Sequence, residues 1–88
     1  MPSREDVYAA LNTEFAYQDR MTADTSRPDM VELSPGDHLL AMEHLLREAR
    51  TYWYANAMPH AAAADSIRKV TALGVRFMER TSAPLRCD

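Results

Sequence analysis

Val7, Leu11 and Phe15 recur every four positions, with Tyr8 on their flank and polar residues between. That period predicts an amphipathic helix over 3–21. Ser3 suits its N-cap, and Asp6, three residues on, can answer it in a capping box. Glu5 and Asp6 also suit the positive end of the helix dipole.

A second helix is predicted over 35–57 and has the clearest start. In SPGD, Ser34 is the expected N-cap, Pro35 takes the first helical position, where its missing N–H costs nothing, and Asp37 can complete the box. Leu39, Met42, Leu46, Ala49 and Trp53 follow at spacings of three and four. This stripe is the expected core face, widened by Leu45 and Tyr52.

Pro59 interrupts the pattern, and a third helix is predicted over 61–80. Ala63, Ile67, Val70, Gly74 and Phe77 form its expected buried stripe, with Leu73 and Met78 beside it. Gly74 costs about 1 kcal/mol against Ala in a helix interior, so a close helix approach is expected there. Residues 22–33 show no period and contain Pro28, which predicts a connector. Residues 81–88 read as a C-terminal tail. The pattern therefore predicts an all-α fold: one domain over 1–88, a small bundle of three main helices.

Composition refines that picture. The chain has 88 residues, 47% of them hydrophobic, but many of those are alanine, which contributes little burial. So small a core predicts a homo-oligomer, with self-association as a source of stability. No apolar run approaches the roughly 20 residues of a membrane span. The opening MPSREDVYAAL lacks the basic and apolar regions of a signal peptide, and Cys87 is the single cysteine. A cytoplasmic protein is the expectation. The net charge of −3 is unevenly spread. Residues 1–60 carry five Arg against ten Asp and Glu, whereas 61–88 carry five Lys and Arg against three acids. Neither part makes the strong basic footprint of a nucleic-acid binder, and a basic last helix packed on acidic partners is expected.

The most unusual local cluster is TYWYANAMPH, residues 51–60. Three consecutive aromatics cannot share one face, because neighbouring helix positions lie about 100° apart. With Trp53 assigned to the core, Tyr52, Tyr54, Met58 and His60 are the expected partner or subunit interface. The three histidines are scattered and read as surface residues. Glu43 and Arg47 fit an i,i+4 ion pair.

A candidate ligand site comprises Glu14, Gln18, Glu48, Arg68 and Lys69. Glu14 and Gln18 are four apart beside Phe15, Glu48 adjoins Ala49, and Arg68 adjoins Ile67. Arg68 is expected to turn inward to Glu14 or Glu48, and Lys69 to sit on the outer edge with Asp65. No catalytic triad, phosphate loop or metal-ligand cluster is legible, so no catalytic residue, metal or cofactor is assigned.

Three stretches carry a resemblance: EFAYQDR (14–20), EHLLREA (43–49) and SIRKVTALGVRFMER (66–80) followed by AP and R. They resemble small uncharacterised proteins of tailed phages and prophages, with an ERxYQDxxW…IRKVxALxVxxME pattern. Phe15 replaces the Arg of that pattern, Met21 falls where a Trp is common, and Thr81-Ser82 stand for a usual Gly. These proteins look distantly similar to the all-α MazG-like nucleotide pyrophosphohydrolases, which bind magnesium through ExxE and ExxD. Here Glu48 and Asp65 match one acid of each motif, but Leu45 and Arg68 occupy the other positions. The resemblance implies a phage-encoded, non-catalytic binding protein in the host cytoplasm. It would block a host protein or sequester a small nucleotide, as counter-defence. The alternatives are a Mg²⁺-dependent pyrophosphohydrolase using Glu14, Glu48 and Asp65, and a structural or assembly protein.

Overall fold

A computed structural model of the chain describes residues 1–23, 34–55 and 59–86. Most of the expected connector, together with Met58 and Cys87, lies outside the described residues. Three helices follow in order: α1, Arg4–Ala23; α2, Pro35–Tyr54; and α3, Pro59–Thr81. Among the described residues there is no strand, so the all-α expectation holds. No helix there is long and apolar enough to cross a membrane.

The helix starts follow the sequence. At α1 the Asp6 N–H donates to Ser3 Oγ at 3.1 Å, and the Ser3 N–H donates to the Asp6 carboxylate at 3.0 Å. These bonds hold the Asp6 carboxyl below its ordinary value, the backbone bond at Ser3 contributing most. At α2 the Asp37 N–H donates to Ser34 Oγ at 3.2 Å, with Pro35 in the first turn. Pro59 opens α3 rather than preceding it. A helix tolerates Pro in its first turn, where no N–H has an intrahelical partner.

α3 is the central helix. It runs antiparallel to α2, with Met42 against Gly74 and Trp53 against His60, and α1 lies along its other side. The seam is built from small residues. The buried apolar side chains are Ala49, Ala63 and Ala72, and the buried polar ones are Glu14, His38 and Ser66. No large aliphatic or aromatic side chain is fully enclosed among the described residues.

This corrects the expected face of α2. Leu39, Leu46 and Trp53 are 50%, 48% and 53% exposed. The inward line instead runs through His38, Met42, Leu45 and Ala49. Ala63 and Ser66 of α3 let that line approach closely, so the contact centres on it and the bulkier stripe is left at the edge. His38, expected at the surface, is 2% exposed because it lies one turn before Met42 on the same face. Ile67 of α3, 44% exposed, departs from its expected stripe for the same reason. The expected Glu43–Arg47 pair does not form: among the described residues neither side chain makes an ion pair or hydrogen bond. An exposed pair of this kind is worth only about 0.3–0.5 kcal/mol, too little to fix two long side chains.

Two glycine-related positions invite a paired test. The Cβ of an alanine at 74 would meet Met42 Cε at 3.5 Å, an ordinary contact. Ser82, just past α3, has φ of 72°, and its N–H donates to the Met78 carbonyl at 2.7 Å. That is a left-handed C-terminal cap, where glycine avoids a penalty of about 1 kcal/mol. Gly74→Ala with Ser82→Gly should therefore raise stability by about 1–2 kcal/mol in urea denaturation. A net loss would show that Met42 cannot yield at the α2–α3 contact.

Candidate functional site

The site is built on the i+4 ridge of α3 formed by Arg68, Ala72 and Arg76. Ala72, fully enclosed, lets α1 approach, and the two arginines flank it. Arg76 donates to Asp19 at 2.7 Å and to Thr22 Oγ1 at 3.1 Å, both on α1. Arg68 Nε donates to Glu14 Oε1 at 3.0 Å, and its other arm donates to Asp65 Oδ1. The expected complementarity between a basic last helix and a more acidic α1 takes this form.

Glu14 is 6% exposed, yet both of its oxygens have partners. Arg68 holds Oε1, and Gln18 Nε2 donates to Oε2 at 3.0 Å. A buried carboxylate needs that much compensation, because removing a charge from water costs several kcal/mol. Asp65 accepts from Arg68 and, at 3.2 Å, from Lys69, which lies on the outer edge as expected. Burial works to raise the Asp65 carboxyl, but the hydrogen bonds and charges of Arg68 and Lys69 outweigh it and leave it below its ordinary value. The bond to Glu14 leads in raising Arg68 above its ordinary value, against an opposing effect of burial.

Four of the five candidate ligand residues thus come together: Glu14, Gln18, Arg68 and Lys69. Glu48 does not join them. It pairs with His44 Nε2 at 3.0 Å on its own helix. The acids of the pyrophosphohydrolase alternative therefore do not make a set suited to Mg²⁺: two of them share a guanidinium and the third faces elsewhere. No group of three potential metal ligands converges among the described residues.

Above this network lies a groove of about 630 Å³, within the range of ligand pockets. Val7, Ala10 and Leu11 of α1 form one wall, and Ala64, Ile67 and Thr71 of α3 lie across from them. Arg68 and Asp65 supply its charged edge. Trp53 closes one end, its ring stacked on His60 with centroids 4.2 Å apart and planes 12° from parallel. Of the expected interface residues, His60 thus borders the groove, while Tyr52 and Tyr54, 40% and 76% exposed, lie on α2 outside its lining. Two positions apart on a helix is about 160° around the axis, so the two tyrosines face different ways.

Asp19 and Thr22, the partners of Arg76, and the Trp53–His60 stack were not singled out from sequence. The i+4 spacing from Arg68 through Ala72 to Arg76 was the available signal for the first two. No protein-family model, curated protein or solved structure matches this chain. The likeness to phage proteins therefore stands on the three sequence stretches alone.

Proposed function

We propose that this chain is a non-catalytic binding protein that blocks a host factor, with its groove taking an apolar segment of that protein. The sequence resemblance supplies the phage setting and the host cytoplasm. The observation that carries the binding reading is the self-contained pairing beneath an apolar groove. Glu14, Asp65, Arg68 and Lys69 cancel in charge and satisfy one another. A phosphate must compete with two carboxylates for Arg68. An apolar peptide needs no such exchange, and covering Val7, Leu11 and Ile67 contributes about 25 cal/mol per Å² of apolar surface removed from water. The same pairing weighs against the pyrophosphohydrolase alternative, since Mg²⁺ requires carboxylate oxygens that Arg68 already holds.

Site-specific crosslinking tests this. A benzophenone side chain placed at Ala64, on the groove, should capture one discrete protein in a bacterial host lysate. The same group at Glu79, near the end of α3, should not. Ile67→Glu should suppress the adduct while helicity is retained. Equal labelling from both positions would remove the groove reading. Nucleotide binding that depends on Arg68 would favour sequestration of a nucleotide instead.

A further inference from the structure

The open stripe of α2 has a match in its own sequence. Leu39, Leu46 and Trp53 are seven apart, so they form one line along the helix, and about half of each is exposed. Met42 and Ala49 continue that line into the buried seam, completing a heptad pattern that α3 covers on one side only. Glu43 and Arg50 follow Met42 and Ala49 by one position and flank the stripe on its outer edge. Neither side chain makes an ion pair or hydrogen bond among the described residues. With Leu46 and Arg47 they line a shallow surface depression of about 380 Å³.

We infer that this stripe is the contact with a second copy of the chain, α2 packing antiparallel on α2 about a two-fold axis near Leu46. The charges select that occupant. In an antiparallel helix pair, equivalent edge positions of the heptad face each other across the seam. Glu43 of one copy then meets Arg50 of the other, and the two-fold repeats the pair. The same symmetry sets Leu39 near the partner's Trp53.

Trp53 sits where stripe and groove meet, so a second copy adjoins the groove at that end and leaves Val7, Ala10 and Leu11 open. The contact does not depend on what the groove binds.

Analytical ultracentrifugation of the full chain tests it. The wild type should sediment as a dimer at micromolar concentration. Arg50→Glu sets Glu43 against a glutamate twice and should raise the dimer dissociation constant by about tenfold or more. The exchanged double variant Glu43→Arg with Arg50→Glu should restore it to within about threefold of wild type. Both positions are exposed and outside the seam, so circular dichroism should show unchanged helicity. A wild-type monomer at 100 µM (~the upper end of ordinary assay concentrations) would overturn the inference. So would a dimer indifferent to Arg50→Glu, or one that the exchange does not rescue.

Discussion

Arg68→Ala is expected to destabilise the fold by about 2–3 kcal/mol in chemical denaturation, and Lys69→Ala by less than about 1 kcal/mol. The two residues are neighbours, so the difference rests on what they leave behind. Without Arg68, Glu14 is a nearly buried carboxylate with Gln18 alone for compensation. The guanidinium is itself 34% exposed, which keeps the effect below that of a fully buried pair. Lys69 and Asp65 are both more open, and Asp65 keeps Arg68 when Lys69 is removed. Replacing Glu14 and Arg68 together by methionine should recover most of the loss, because no orphaned charge remains. Equal effects of the two single substitutions would mean that Glu14 is solvated and the network carries no stability.

The second large effect lies at the seam. Ala49→Leu should cost about 2–3 kcal/mol by overpacking. Ala49 lies on the buried side of α2, level with Ala63 and Ser66 of α3 by the antiparallel register, and all three are buried. A leucine there has to push the helices apart. Trp53→Ala, by contrast, should cost the isolated chain only about 1–2 kcal/mol, since half of the ring is exposed. Measured on the dissociated chain, denaturant midpoints for the two variants should therefore fall in the reverse of the order that side-chain size suggests. A larger loss for Trp53→Ala under those conditions would place the tryptophan in the core of the chain.

The helices were legible because their signals are local. Ser3 with Asp6 and Ser34 with Asp37 are capping partners three residues apart, and they make those bonds here. The inward turn of Arg68 towards Glu14 was expected too, but the premise that it adjoins a buried Ile67 failed, since Ile67 is 44% exposed; the pairing with the buried Glu14 carboxylate accounts for it. The face of α2 was not. Period selects a set of apolar positions, but the neighbour's side-chain sizes decide which line through them becomes the contact. Ala63 and Ser66 drew α3 onto His38, Met42 and Ala49, and no pattern within α2 encodes that. Glu48 shows the same limit. Its position beside Ala49 suggested the bundle interior, yet His44, one turn earlier, holds it on its own helix. The groove needed two helices and the end of a third, so only the folded chain brings Val7, Trp53 and Thr71 to one surface.

Glu14 and Asp65 both pair with Arg68, and the proposed function, binding a protein without nucleotide chemistry, rests on that pairing. A panel of nucleoside triphosphates offered with Mg²⁺ and with Mn²⁺, followed by pyrophosphate release and by titration calorimetry on the same samples, tests it most directly. Neither release above the protein-free blank nor a binding heat is expected, for the wild type as for Arg68→Ala. Pyrophosphate release by the wild type that disappears in Glu14→Gln, or a nucleotide heat that disappears in Arg68→Ala, would contradict it.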